Sequence, residues 1–346
     1  MTLRSQLQKS PALYKWLCDR AWKAGDRLDR MGRWLLVNRP ALGRVYASLL
    51  ARGFPRPRVF PGWSFAYEYY IAYNWLALRR GALWEFALQQ GLVVPLTARW
   101  LGRTKVEVTL GNDNSLCLYV AGSFEPNEFA FLDGVLRPGM TFVDVGANEG
   151  YFTLFAARRV GRAGRVLAFE PSSRERLQLE KNVQRNRLGN VTIVPQALAD
   201  QPGTAHLHIA AKLHGGHNTL GEFAYADAGN AGTEEVPVGT LDALATGRVD
   251  VMKIDVEGAE LKVLNGGRNV LMTSRPILLI EANDAALRGQ GASSEALLKL
   301  LRELDYDIHV FSETTGKVEP LAQGGALSAN IVAYPKTVTP RAARGL

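Results

Sequence analysis

Phe142-Val-Asp-Val-Gly-Ala-Asn-Glu-Gly-Tyr-Phe-Thr153, followed by Ala168-Phe-Glu170-Pro, is the stretch on which the fold of this chain turns. It reads as a buried strand reaching Asp144, a tight turn from Gly146 to Gly150, a helix, and a second strand ending on a carboxylate. That order is the mononucleotide-binding half of a doubly wound α/β fold. Glycine is needed where a backbone bends sharply or passes close to a ligand, and Gly146 and Gly150 stand at the two ends of the bend. Asn148 tolerates a positive φ and stands in for a middle glycine.

The ligand class follows from what surrounds the bend. Glu170, twenty residues after Gly150, is spaced to accept hydrogen bonds from both hydroxyls of a ribose lying across the strand tips. The glycines do not follow GxGxxG, and no GxxxxGK[ST] occurs, so no loop for a phosphate chain is spelled out. A carboxylate at Asp144 would repel phosphate, but it suits a cationic amino-acid tail. S-adenosylmethionine meets both demands. The residues expected to hold it are Asp144, Gly146, Ala147, Asn148, Gly150 and Glu170. Ala197 is expected against the adenine ring, while Asp200 either accepts from the adenine amine or shapes the turn before Pro202-Gly203.

Further pieces join this core: Asn182 and Asn186, Ala197-Leu-Ala-Asp200, His217-Asn-Thr-Leu220 and Val238-Gly-Thr-Leu-Asp242. Val249-Asp-Val-Met-Lys-Ile-Asp-Val-Glu-Gly-Ala-Glu260 and Ile277-Leu-Leu-Ile-Glu-Ala-Asn283 complete the set. From about Glu125 to about Asn283 the chain resembles the FkbM-type S-adenosylmethionine-dependent methyltransferases of the class I fold. The resemblance implies a Rossmann-like α/β domain with a mostly parallel sheet, closed by a reversed hairpin near Ile308 to Phe311 and Asn330 to Ala333. Alternation along the chain agrees, with strands near 141–145, 165–170, 191–195, 250–255 and 277–281. Helices are expected near 151–160, 173–187, 260–271 and 294–304.

A chain of 346 residues exceeds one average domain. The expected division is a mainly helical N-terminal region over 1–104, the methyltransferase domain over 105–335 and a loose tail over 336–346. The net charge of +8 is unevenly placed: residues 1–60 carry +10, and all seven tryptophans precede the Phe142 signature. Such a segment suits peripheral contact with an anionic membrane, or equally a solvated helix or a protein partner. No nucleic-acid module accompanies the charge. Ser10-Pro11 marks a helix start, with Leu13, Trp16 and Leu17, then Leu28, Met31 and Leu35, at helical spacing. The aromatic stretch Phe65 to Leu78 is too short and too polar to span a bilayer and reads as a buried helix. Lys105 to Leu110 and Ser115 to Val120 alternate around Gly111-Asn-Asp-Asn114, which predicts a hairpin, and Tyr225 to Gly232 reads as a loop. Cys18 and Cys117 form no metal or redox spacing, and no signal-like apolar run opens the chain, so a cytoplasmic setting is expected.

Methyl transfer to a hydroxyl needs a base or a Lewis acid, because that proton is held far above neutral pH. His217 is the first candidate, since imidazole titrates near working pH and glycines flank its loop. Lys253, Asp255 and Glu257 close one strand and Glu281 the next, so they should meet at the rim that carries Glu170. Asp255, Glu281 and Asn283 are hard oxygen donors that could hold Mg, as in catechol O-methyltransferase-like enzymes, or could simply cap helices and pair with Lys253 or Arg275. Glu260 is expected to serve the helix it opens, and Asn265-Gly-Gly267 to bend that helix late. His206, His208 and His214 lack the partners of a zinc site. The expected activity is O-methylation of a glycan, a glycolipid precursor or a natural product. Its rivals are N-methylation, against which the missing Asn-Pro-Pro-Tyr loop counts, and an adaptor that keeps the fold without the chemistry.

Overall fold

The computed structural model describes residues 11–51, 75–100, 104–112, 116–122, 125–210, 218–221 and 230–336. Two helices open it, α1 (Pro11–Asn38) and α2 (Pro40–Leu50), each begun by a proline whose missing N–H costs nothing at that position. Their faces interlock through small residues: a side chain on Gly43 would strike the backbone of Leu36, and one on Gly32 would strike the ring of Tyr46. Leu36 faces inward, whereas Met31 is exposed. Helix α3 (Trp75–Gln89) packs beneath them, and its buried Arg79 pairs with Asp29 of α1 at 3.0 Å. Residues 65–74 of the expected aromatic helix lie outside the described residues.

The hairpin forms one strand earlier than expected. β1 (Val94–Trp100) pairs antiparallel with β2 (Thr104–Leu110), while the residues expected as the second strand form a π-helical turn over Cys117–Ala121. The reason is burial: Cys117, Leu118, Tyr119 and Val120 are all buried in succession, which a helical turn inside a core allows and a one-sided strand does not. The hairpin thus straddles the 104/105 division and belongs to the same packing as the sheet domain. Trp100 meets Phe129 edge-on at 5.1 Å, and Phe129 stacks on Phe152 at 4.4 Å.

After α4 (Pro126–Val135) the alternation begins: β3 (Thr141–Val145), α5 (Tyr151–Val160), β4 (Arg165–Phe169), α6 (Ser173–Asn186) and β5 (Val191–Val194). A short strand β6 (Ala197–Leu198) then joins β7 (Gly203–Ala210) and β8 (Asn230–Gly239) in a separate three-stranded sheet. Residues 230–232 are therefore strand rather than the loop expected there. The helix α7 (Leu241–Leu244) leads to β9 (Val251–Ile254). Beyond it the single helix expected over 260–271 is two, α8 (Glu260–Asn265) and α9 (Arg268–Thr273). They part at Gly266-Gly267, and glycine is required at 266 because a Cβ there would sit 2.0 Å from the carbonyl oxygen of Ala199. The chain closes with β10 (Ile277–Glu281), α10 (Asp284–Gly289), α11 (Ser294–Glu303), β11 (Tyr306–Phe311), β12 (Val318–Pro320) and β13 (Asn330–Pro335).

The main sheet runs β12-β11-β13-β10-β9-β3-β4-β5, parallel from β10 through β5, with β13 inserted antiparallel beside β10. Alternate residues feed two cores. Phe142, Val166, Val251 and Leu279 enter one, and Val143, Leu167, Met252 and Leu278 enter the other. Both faces are covered, which is why these strands read as continuous apolar runs. Strand order reverses between β3 and β9, and a doubly wound sheet presents its ligand crevice at that point.

Candidate active site

Asp144 and Lys253 are register partners on β3 and β9, facing the same core. Asp144 is wholly buried; Oδ2 accepts from the Thr153 hydroxyl at 2.5 Å, and Oδ1 has no hydrogen-bond partner. Burial raises its pKa, against the pull of Lys253 and Thr153. Next comes the bend. Gly146, Asn148 and Gly150 all have positive φ, at 79°, 48° and 91°. At Gly146 this freedom is indispensable, because a Cβ would stand 1.8 Å from the carbonyl oxygen of Asp255. The bend after β3 therefore rests directly on the end of β9, and Lys253 Nζ donates to the Gly146 carbonyl at 3.4 Å.

Glu170 ends β4 beside the bend. Its Oε2 accepts from the Asn148 N–H at 2.7 Å and its Oε1 from the Ser172 N–H at 2.9 Å. Each oxygen keeps a second lone pair, so capacity for a diol remains. Burial outweighs these bonds and pushes its pKa up to about 8. Asn182 of α6 braces the same bend, donating to the Glu149 carbonyl at 2.9 Å while its Oδ1 accepts from Glu107 N–H at 2.9 Å. Asn186, one turn on, exchanges hydrogen bonds with both backbone groups of Lys105 at 2.8 and 2.6 Å. These two asparagines thus clasp β2 to α6, so the hairpin is held by the element that follows Glu170.

At the ends of β9 and β10 the carboxylates gather. Oxygens of Asp255, Glu257 and Glu281 can lie within 4.8 Å of one another. Glu281 Oε2 is buried without a hydrogen-bond partner, and its pKa is raised well above the ordinary value by burial and then by Asp255, Glu257, Glu260 and Glu125. Lys253 pairs with Asp255 at 2.9 Å and lies 4.8 Å over the Phe152 ring. Burial works against its charge, but Asp255, Asp144 and Glu125 prevail and raise its pKa. Lys253 is therefore a fixed cation, suited to orienting Asp255 and unsuited to taking a proton. Glu257 is held in the left-handed region at φ 51°, and its carbonyl accepts from the Thr219 hydroxyl at 2.9 Å.

Asn283 does not join this group through its side-chain oxygen, which accepts from the N–H groups of Ala285 and Ala286 and caps α10. The third donor beside Asp255 and Glu281 is Glu257. Glu260 serves structure, as expected, accepting from the N–H groups of Val256 and Gly258. Ala147 is buried within the bend, Ala197 packs with Leu207 and Val236 in the small sheet, and Asp200 is exposed on the turn beyond. His217 and His214 lie outside the described residues.

Two carboxylates of the site escaped sequence reasoning. Glu125 and Glu128 flank the start of α4, and Asn330 of β13 donates to both, at 3.1 and 3.2 Å. Burial lifts Glu125 to about 8, with Glu128 and Asp255 adding to the rise, and lifts Glu128 to about 7. Their only signal was a pair of glutamates three apart before the apolar run Phe129 to Leu132.

Residues 144–308 match the model of the methyltransferase FkbM domain. The AMB antimetabolite synthetase AmbE of Pseudomonas aeruginosa is 28% identical over 232 residues, which are 56% of this chain and 11% of that protein. The methyltransferase sdnD of Sordaria araneosa is 31% identical over 154 residues, 36% of this chain and 59% of that protein. The chain thus spans less than two thirds of the length of either relative. Among solved structures, methyltransferase FkbM from Methylobacillus flagellatus aligns with 63% of this chain and 52% of its own at 16% identity, with a TM-score of 0.37. The matched stretch begins at the buried aspartate of β3 and runs through the bend, the clasp and the carboxylate rim, so the part of the chain that builds the candidate site is the part similar to a methyltransferase FkbM domain.

Proposed function

We propose that this protein is an S-adenosylmethionine-dependent O-methyltransferase acting on a hydroxyl of a glycan, a glycolipid precursor or a natural product. The observation that carries the reading is the direct contact between the bend at Gly146 and the end of β9, which sets a cofactor seat against a cluster of carboxylates. Three positive φ angles, the spare lone pairs of Glu170 and the unpartnered Oδ1 of Asp144 fit such a cofactor. Glu170 would hold its ribose, and Asp144 would balance its cationic end. S-adenosylmethionine supplies a methyl group on a sulfonium, which transfers by in-line displacement.

An amine acceptor needs little more than alignment, but a hydroxyl must lose its proton. Burial, and then the neighbouring charges of Asp255 and Glu257, raise the proton affinity of Glu281 toward the range where a carboxylate is a useful base. Lys253 orients Asp255 for that task. His217 is the other candidate base. Similarity to part of an antimetabolite synthetase favours a natural product among the acceptors.

A divalent cation on Asp255, Glu257 and Glu281 is the second reading, favoured by their three convergent oxygens. It would polarise the acceptor hydroxyl and relieve the repulsion among its ligands. Calorimetry with S-adenosylmethionine, followed by a labelled-methyl acceptor screen with and without chelator, tests both. Absence of cofactor binding removes the whole reading, a methyl group located on nitrogen removes the O-linked choice, and turnover unaffected by chelator removes the cation.

A further inference from the structure

A helix that covers a protein body with one face ordinarily leaves the opposite face polar. Helices α1 and α2 do not. Trp34 and Met31 of α1 are 55% and 44% exposed, although Leu36 on the same helix is buried. In α2, Leu42, Val45 and Leu49 are 56%, 56% and 50% exposed and recur three and four residues apart, which places them in one stripe. The inward faces are already engaged: Gly43 and Ala47 are buried, and the Tyr46 hydroxyl donates to the Leu28 carbonyl at 3.1 Å.

Arginines flank these apolar side chains. Arg27, Arg30, Arg33, Arg39 and Arg44 are exposed, against one exposed acid, Asp26, among the described side chains of 25–51. Asp26 is itself paired with Arg30 at 3.0 Å, and Asp29 is turned inward to Arg79. The face is therefore apolar and cationic together.

We infer that this face of α1 and α2 docks on an anionic phospholipid surface. A bilayer interface accepts a convex apolar stripe without a pocket; indole rings settle at headgroup depth and arginine stems lie along the acyl boundary with their charges in the headgroups. Anionic lipid supplies countercharge for Arg27, Arg33, Arg39 and Arg44, the exposed arginines other than the Arg30 that Asp26 already pairs. A second copy docking by the same face would set arginines against arginines. Nucleic acid would satisfy the arginines and leave the Leu42, Val45, Leu49 stripe in water. No helix among the described residues is long and apolar enough to cross a membrane, so the contact is peripheral.

Co-sedimentation of the full chain with vesicles of phosphatidylcholine alone, and of phosphatidylcholine with phosphatidylglycerol, tests the inference. Binding is expected only to the anionic vesicles, weakening in high salt. Trp34→Ser with Leu42→Ser and Val45→Ser should weaken it about tenfold, as should Arg27→Gln with Arg30→Gln and Arg44→Gln, while unchanged melting curves show that both variants fold. The inference is overturned if neither vesicle retains the protein, or if both variants bind like the parent. It is equally overturned if the serine variant abolishes a concentration-dependent dimer while the parent ignores lipid.

Discussion

The bend after β3 and the rim at the ends of β9 and β10 touch, yet they are built by opposite means. The bend is backbone: three residues at positive φ, with a carboxylate satisfied by two N–H groups. The rim is side chain: three carboxylates in mutual repulsion, one buried lysine and a glutamate oxygen without a partner. Backbone geometry is rigid, which suits a seat for one constant ligand, and Glu170, pushed up to about 8 by burial, is the titrating part of that seat. Crowded carboxylates respond to protons and cations, which suits chemistry that moves a proton. The difference teaches that damage to the bend should cost folding and binding, whereas damage to the rim should cost turnover.

The severest test is Gly146→Ala. Its Cβ would collide with the Asp255 carbonyl at 1.8 Å in a backbone conformation that alanine resists. A loss above about 3 kcal/mol in denaturant melts, together with loss of cofactor binding, is expected. A variant that melts like the parent breaks the claim that bend and rim are in contact. Glu281→Gln comes next, with kcat reduced roughly 10²- to 10⁴-fold and cofactor Kd unchanged by calorimetry. Equal loss in both would erase the division between seat and rim.

Glu170→Ala should weaken S-adenosylmethionine binding about 100-fold, because it would remove the proposed ribose acceptor and leave the Asn148 and Ser172 N–H groups without it. Glu125→Gln probes the half-buried carboxyl that Asn330 holds and whose titration Asp255 of the rim influences. The native carboxyl holds its proton up to about 8, whereas the ordinary value is 4.5. Its contribution to stability is therefore whole below the ordinary value and lost as pH rises through about 8. The glutamine variant should lose less stability than the parent in denaturant melts as pH rises from about 5 to about 8. Smallest of all is Trp34→Ser, exposed on α1, which should change stability by less than about 0.5 kcal/mol.

Much of the sheet domain was legible because its signals are local. Gly146 and Gly150 mark a bend that few other residues can make, and apolar runs bounded by turns mark strands buried on both faces. The hairpin was misplaced because alternation alone cannot tell which of two neighbouring segments finds the partner for Thr104–Leu110. Asn283 carries two readings in the sequence, a donor to a hard cation or a helix cap, and residue type cannot choose between them; the start of α10 uses its oxygen as a cap.

What the sequence determined by itself is the strand-bend-helix-strand unit, the acid at the end of each flanking strand and the uneven charge of the N-terminal region, since each is written in adjacent residues or in composition. Tertiary structure decided the rest. It brought Glu125 and Glu128 under Asn330, joined Asn182 and Asn186 to β2, and turned Trp34 outward while Leu36 went in. These outcomes depend on which surfaces meet across 75 to 205 residues of chain or between neighbouring helices, and burial, unlike periodicity, is a property of the partner as much as of the residue.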